Sequence, residues 1–394
     1  MKKFIYLCGM MLLSINMMAQ IDLNDQNWDF SHAFIDEFNT SRTWDTNSWL
    51  SIPDGVWKAY YGRIIHGHET QIYQYDHCLF DTESGTMRLV SEFDTDSLIP
   101  RHKYHLPAGN HTYPNALNRF DTLYYFSGEI AVDTPKFKYG YFEIRCKLPQ
   151  HKGTFPAFWL HGSNKNGADR YYEEIDIFEH SRNLLHHSDH WPGYEPPQDS
   201  DSARVFTTGI YQNLTGLSPN LDTESYARNF PLVLPPSNDL SNWHTYSCEW
   251  MPDHVFWYCD DSLVNSYYDQ AHIPCHELTL IANYAIDRYA LIKDTDIPLW
   301  FGSDEMDIDY IRVYQLCWNC DKDEIITCQS DLDDFKYAVK KSVSITSTIE
   351  QPVVSAGNKV TFRVTDEFEI TGPFEVNSGA EFTVILQACP NNLE

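Results

Sequence analysis

The sequence predicts an all-β protein: a β-sandwich followed by a small C-terminal β module. In residues 139–148, apolar side chains at even positions alternate with Glu143, Arg145 and Lys147, which is typical of an antiparallel strand with one buried face. Residues 243–264 predict a hairpin followed by a second turn at Asp260-Asp261. The first 315 residues contain no helix-period run longer than a few turns, which favours an all-β fold.

The chain is 394 residues long, more than one ordinary domain requires. Further strands are predicted at 153–160, 278–286 and 306–314, so the sandwich should end near residue 316. We predict a sandwich domain at 20–316, a linker at 317–341 and a module of small stacked β-hairpins at 342–394, where short one-sided apolar runs are separated by glycines.

The N-terminus carries Lys2 and Lys3 ahead of an apolar run that ends at Ala19. This pattern predicts a secretory signal peptide at 1–19, because the run is too short and too terminal for a membrane span. We expect an exported protein, periplasmic or extracellular, with no membrane insertion.

The net charge and the aromatic content of the chain limit which partners are expected. Net charge is −28, which argues against nucleic acid or an anionic membrane and weighs against a heavily sulfated polysaccharide. Aromatic residues make up 15% of the chain; a sandwich core accounts for most of them, and a surplus suits a carbohydrate cleft. An uncharged glycan is the expected partner, and we expect a monomer.

The chain has ten cysteines, nine without the signal peptide, so not all can pair internally. Cys317 and Cys320 have the spacing of a redox or metal motif, but no second pair at ligand spacing follows them. A local disulfide that involves Cys328 or Cys389 is favoured over a zinc site.

Residues 171–180 carry the most informative pattern in the chain. On a strand, Glu174 and Asp176 share one face because side chains alternate. A strict alternation would place Phe178 beside them, whereas one extra residue, a β-bulge, would return Glu179 to the acidic face and leave Ile177 and Phe178 in the core.

Three close carboxylates are costly unless their pKa values are pushed apart. A solvated acidic strand edge would explain any isolated match of this kind, but the interleaved isoleucines and phenylalanine indicate a buried strand. Glycoside hydrolysis needs such a group, with one ionised carboxylate as nucleophile and one protonated carboxyl as general acid.

The segment Glu-Ile-Asp-Ile-Phe-Glu resembles the active-site signature of glycoside hydrolase family 16, in its laminarinase-like branch. Phe155 stands where the family usually has Trp, and the resemblance covers about residues 27 to 315. Five further segments match the family in order: Ser127-Gly-Glu-Ile130, Tyr139-Gly-Tyr-Phe-Glu-Ile-Arg145, Pro156-Ala-Phe-Trp-Leu160, Trp243-His-Thr-Tyr246 with Glu249-Trp250, and Asp309-Tyr-Ile-Arg-Val-Tyr314.

The resemblance implies a jelly-roll, concanavalin-like sandwich and a retaining endo-β-glycanase that works by double displacement. By resemblance, Glu174 is the nucleophile, Glu179 the general acid/base, and Asp176 the residue between them. Glu173, the nearest competitor, should point into the opposite face as a rim or salt-bridge residue. The family requires no cofactor, and it often holds a structural calcium near the first strand.

For substrate binding, the resemblance places Trp159 and His244 at the subsites next to the scissile bond, although packing would also explain Trp159. Asn283 is a weaker candidate. The long segment after the acidic strand contains three histidines and Trp191 and is predicted to form a wall of the cleft. A solvated or sugar-contacting cluster is favoured over a metal site, and we assign no metal ligand.

Two alternatives stay open at the level of sequence. The first is a non-catalytic, lectin-like sandwich, which would need none of the three acids. The second concerns the substrate: β-1,3-glucan suits the bulged motif, while the long insert could recognise a β-1,4-galactoside in mucin-type O-glycans, keratan-like chains or agar.

Overall fold

The structure is a computed structural model. It describes residues 34–39, 57–59, 70–81, 83–93, 99–100, 122–164, 170–180, 205–213, 226–233, 239–252, 254–286, 291–292, 297–298, 300, 302–314, 317–333, 338–347, 350–386 and 389. The predicted signal peptide and Trp191 lie outside the described residues. In the part of the chain that is described, no helix is long and apolar enough to cross a membrane.

Almost all regular structure is β, as predicted. The strands before residue 315 are β1 (Phe34–Asp36), β2 (Trp57–Ala59), β3 (Gln71–Tyr73), β4 (Cys78–Asp81), β5 (Thr86–Phe93), β6 (Ile99–Pro100), β7 (Thr122–Leu123), β8 (Tyr125–Ser127), β9 (Glu129–Phe137), β10 (Gly140–Lys147), β11 (Thr154–Asn164), β12 (Tyr171–Glu179), β13 (Val205–Asn213), β14 (Tyr226–Val233), β15 (His244–Trp250), β16 (Val255–Cys259), β17 (Ser262–Tyr267), β18 (Leu278–Ile286), β19 (Leu291–Ile292), β20 (Ile297–Pro298) and β21 (Ser303–Tyr314). Among the described residues, 3-10 turns at Tyr75–His77 and Gln270–His272 lie between these strands.

Two large sheets form the sandwich. The ten-stranded sheet has the order β17-β16-β15-β10-β21-β5-β8-β3, with β1 beside β21 and β4 beside β5. The seven-stranded sheet has the order β14-β13-β12-β11-β18-β9-β2. The β15-β16-β17 meander confirms the predicted hairpin, and its second turn holds Asp260 and Asp261 at positive φ.

The core lies between the sheets. On β10, Ile144 and its even-numbered neighbours are buried, while the side chains of Arg145 and Lys147 remain over one-third exposed, as the alternation predicts. Glu143, predicted on the same side as Arg145 and Lys147, is instead buried. Across the interface, the ring of Phe178 on β12 lies 4.6 Å from that of Tyr246 on β15. Burial of each large apolar side chain contributes about 1.5–3 kcal/mol, so this shared core holds the sheets together.

The C-terminal module differs from its prediction. Its elements are β22 (Cys317–Ile326), α1 (Gln329–Asp333), β23 (Ala338–Ile345), β24 (Val353–Val354), β25 (Lys359–Ile370), β26 (Glu375–Val376) and β27 (Glu381–Leu386). The segment predicted as a linker therefore carries the first strand and a helix of the module.

The strands of this module pair in parallel, β22 with β23, β23 with β25 and β25 with β27, so the prediction of hairpins is wrong. Alternation along a strand is the same in both pairings, and the sequence pattern could not separate them. A disulfide joins Cys320 to Cys389, which confirms the predicted local bridge.

Candidate active site

The bulge predicted in β12 is present. Asp176 pairs with Gly209 on β13 and Glu179 pairs with Thr207, so β12 has one residue more than its neighbour over this interval. The register against β11 shifts at the same place. The extra residue turns Glu179 back toward the face that carries Asp176.

The two faces of β12 differ as the bulge requires. Ile175, Ile177 and Phe178 all belong to the core between the sheets. Glu174 and Asp176 alternate with them and face away from that core, although both are buried, with 8% and 1% of their surface exposed. Three acids thus line the outer face of the seven-stranded sheet.

Two of the predicted substrate-binding residues lie on the same face. Trp159 is the cross-strand partner of Asp176, and its indole N–H donates to Asn283 Oδ1 at 2.7 Å. Asn283 in turn donates from Nδ2 to the hydroxyl of Tyr73 at 2.9 Å. Trp159 is 6% exposed and packs with Ala131 and Ile281, so much of its ring area serves packing.

His244 does not lie at this face, and its assignment to substrate binding is wrong. It begins β15 in the ten-stranded sheet and is 7% exposed. Its Nδ1 lies 2.7 Å from Asp260 Oδ2, and its Nε2 lies 3.1 Å from the Asp239 carbonyl oxygen. The side chain faces the interior side of its strand, with Tyr246, because the two residues are separated by one period.

Glu173 points into the opposite face from Glu174 and forms a salt bridge, as predicted, but it does not lie at the rim. It is fully buried and forms an ion pair with His276, with 3.2 Å between Oε1 and Nδ1. Its role as a nucleophile is excluded by this orientation, since the acidic face is formed by its neighbours.

A family model described as "Glycosyl hydrolases family 16" matches residues 102–284, a span that includes β9 to β13 and most of β18. This match covers just under half of the chain, and within it residues 102–284 are similar to glycosyl hydrolases family 16. The match includes all three acids of β12 and the paired Trp159 and Asn283, so the site and the family domain coincide.

The chain is also similar to several curated proteins and solved structures. A β-glucanase of Rhodothermus marinus is 29% identical over 45% of this chain and 57% of its own length. A keratan-sulfate endo-1,4-β-galactosidase of Sphingobacterium multivorum is 22% identical over 73% of this chain and 56% of its own length. A family 16 endo-glucanase from Bacteroides ovatus gives a TM-score of 0.48 at 20% identity, with 71% of this chain and 99% of that chain covered.

The chain thus spans about half the length of these two curated relatives. Both relatives are less than 30% identical to this chain, and their names describe action on different glycans. The two names therefore point to no single substrate.

The pKa values of the three acids in this site are all raised. Burial raises the pKa of Glu174 to about 7, against the opposing effect of a hydrogen bond from Tyr172. Burial and the nearby Glu174 raise the pKa of Glu179 to about 8, partly offset by a hydrogen bond from Thr207. Burial, then Glu179 and Glu174, hold the pKa of Asp176 well above its usual range. Burial thus holds all three carboxyl groups toward their protonated forms, and the hydrogen bond from Tyr172 favours the ionised form of Glu174.

Two residues of this site were missed by sequence reasoning. The Tyr172 hydroxyl donates to Glu174 Oε2 at 2.8 Å, and His161 is the cross-strand partner of Glu174. The His161 ring lies 5.6 Å from that of Trp159 and 4.9 Å from that of Tyr172. Strand periodicity contained the signal, because Tyr172 and His161 stand two positions from Glu174 and Trp159, respectively.

Tyr172→Phe is expected to shift the acidic limb of the pH–activity profile to higher pH. The hydroxyl stabilises the ionised form of Glu174, so its loss raises the pKa of that carboxyl and a higher pH is needed to ionise it. We expect a shift of roughly 0.5 to 1 pH unit in kcat/KM. Tyr268→Phe is the matched control, because Tyr268 is exposed, and its profile should not shift. If the acidic limb of Tyr172→Phe does not shift either, this role of Tyr172 is excluded.

Proposed function

We propose that this chain is an endo-acting, retaining glycoside hydrolase that cleaves internal β-linkages of a glucan or galactan by double displacement. One observation carries the proposal: the bulged β12 gathers Glu174, Asp176 and Glu179 on one face. A carbohydrate-binding protein needs none of the three acids. Burying them together costs stability, and buried clusters of this kind are found preferentially at functional sites.

In the first step, Glu174 attacks the anomeric carbon while Glu179 gives its proton to the departing glycosidic oxygen. The sugar–oxygen bond breaks as the bond to Glu174 forms. In the second step, Glu179 takes a proton from a water molecule, and the oxygen of that water attacks the anomeric carbon and displaces Glu174. Glu174 is again ionised and Glu179 again protonated. Burial and the nearby Glu174 raise the pKa of Glu179, which favours the protonated acid that the first step requires, while the hydrogen bond from Tyr172 favours ionised Glu174.

Asp176 supplies a neutral neighbour for the two working glutamates. Burial and both glutamates raise the pKa of Asp176, which favours its protonated form. Among the described residues, its Oδ2 has no hydrogen-bond partner, and its main-chain oxygen accepts from the Trp257 indole at 2.9 Å. The main chain is fixed while the carboxyl remains available to donate to Glu174.

The proposed substrate is an uncharged β-glucan. The β-glucanase relative and the net charge of −28 favour it over sulfated chains. A β-galactan is the second candidate, because the alignment with the keratan-sulfate galactosidase extends over 73% of the chain. We further propose that the protein is exported, as its N-terminal sequence predicts.

The test is hydrolysis of laminarin, mixed-linkage glucan, agarose, keratan sulfate and mucin O-glycans, followed by size analysis of the products. Endo-action predicts an early fall in chain length with a distribution of oligosaccharides. Binding to a glycan without release of reducing ends would instead support a lectin.

On the preferred glycan, the first product is expected to be the β-anomer, because two displacements at one carbon restore its configuration. Proton NMR of the anomeric region, recorded within the first minutes and before mutarotation, checks this. Early appearance of the α-anomer would exclude the retaining route.

A further inference from the structure

A cysteine, a histidine and a buried glutamate converge behind the start of β12. Glu173 is fully buried, and Cys275 and His276, from the loop before β18, are partly exposed. His276 Nδ1 lies 3.2 Å from Glu173 Oε1, Cys275 Sγ lies 3.8 Å from Nδ1, and Sγ lies 3.7 Å from Oε1. Three different donor atoms thus form a nearly equilateral triangle.

The triangle has the dimensions of one face of a zinc tetrahedron. Zinc binds sulfur at about 2.3 Å, imidazole nitrogen at about 2.0–2.1 Å and carboxylate oxygen at about 2.0–2.2 Å. At tetrahedral angles these bonds hold the donor atoms about 3.4 to 3.6 Å apart. An ion pair explains the edge between His276 and Glu173, but it requires no thiol at the third corner.

Surrounding contacts hold the donors in this arrangement. The backbone N–H groups of Cys275 and His276 donate to Glu173 Oε2 at 3.0 and 2.9 Å, which turns Oε1 toward their side chains. Gln212 Nε2 also donates to Oε1 at 3.1 Å. The His276 ring stacks on Tyr171, with centroids 3.9 Å apart and planes 5° apart. Such outer contacts are what orient the ligands of a metal site.

We propose that Glu173, Cys275 and His276 bind a Zn²⁺ ion, with the fourth position open to solvent. Thiolate and imidazole select zinc over the oxygen-seeking calcium and magnesium. The site is separate from the acids of the candidate active site, because Glu173 faces away from Glu174. The ion would fix the first turn of the loop before β18 against the start of β12.

Zinc binds its ligands as a thiolate, a carboxylate and a neutral imidazole, so metal binding competes with protons for these groups. Zinc affinity is therefore expected to rise with pH.

The test is a titration of the full chain, first stripped with a chelator, with Co²⁺ and then Zn²⁺. Cobalt bound to a thiolate gives a sulfur-to-metal charge-transfer band, so histidine sites elsewhere in the chain remain silent. We expect the band to saturate at one equivalent of cobalt and to vanish as zinc replaces it. Cys275→Ser should abolish the band, and His276→Asn should weaken cobalt binding by at least about 10- to 100-fold.

Two other cysteines serve as controls. Cys259 lies beside His244 and Asp260 in a second close group, and Cys328 is partly exposed. Cys259→Ser and Cys328→Ser should both keep the band, with circular dichroism used to confirm that each variant is folded. No band in the wild-type chain, or a full band in folded Cys275→Ser, would overturn the proposal.

Discussion

Glu174→Gln is expected to lower kcat on the preferred glycan by on the order of 10⁴- to 10⁶-fold, the loss seen when a covalent nucleophile is removed. The amide keeps the size of the side chain and can still accept from Tyr172, so the geometry of β12 should be preserved. Steady-state hydrolysis of the best glycan found in the substrate panel measures the effect. Normal turnover by this variant would end the assignment.

The matched control is Glu143→Gln. Glu143 is also a buried glutamate whose pKa is raised by burial, but it lies on β10 in the other sheet. We expect its kcat to remain within about threefold of wild type, because it touches no part of the site. Equal losses in both variants would indicate damage to the fold instead of loss of a nucleophile.

The stability of Glu174→Gln adds a second readout. Burial raises the pKa of Glu174 above its unfolded value, so the wild type loses stability as pH rises from about 4.3 toward 7. Glutamine carries no such penalty, so its advantage in the free energy of unfolding should grow through this window, to at most about 4 kcal/mol, and its Tm should rise accordingly. Thermal unfolding at pH 4 and pH 8 tests the sign, and a Tm difference independent of pH would contradict burial as the cause.

Local sequence pattern was sufficient to predict the bulge. Two apolar residues, Ile177 and Phe178, stand in a row between acids, and only an extra residue lets both enter the core while Glu179 rejoins the acidic face. Periodicity alone would also have found Tyr172, two positions before Glu174. These features depend on a single strand, which is why they can be predicted.

Features that depend on distant strands could not be predicted in the same way. His244 has a suitable side chain at a suitable motif, yet its strand joins the other sheet, where Asp260 and the Asp239 carbonyl engage both ring nitrogens. Likewise, Glu173 meets Cys275 about one hundred residues later in the chain. Alternation fixes which face a side chain takes, but not which strand lies beside it.

Glu179→Gln is expected to have an effect that depends on the leaving group. On a glycan, where the departing alcohol needs a proton, the loss should reach on the order of 10² to 10⁴-fold in kcat/KM. On a dinitrophenyl glycoside, whose phenol leaves without a proton, the first step should be nearly unaffected. The second step still lacks its base, so the glycosyl-enzyme should accumulate and release a burst of phenol.

Azide rescue distinguishes the roles of the two glutamates by the anomer of the glycosyl azide that each alanine variant forms. In Glu179→Ala the intermediate still forms on Glu174, and azide should attack it from the opposite side to give the β-glycosyl azide. In Glu174→Ala no intermediate forms, and azide in place of the missing carboxylate should give the α-glycosyl azide directly. NMR of the isolated azides distinguishes the two. The same anomer from both variants would show that the two residues do not lie on opposite sides of the scissile bond, and the double displacement assigned to β12 would fail.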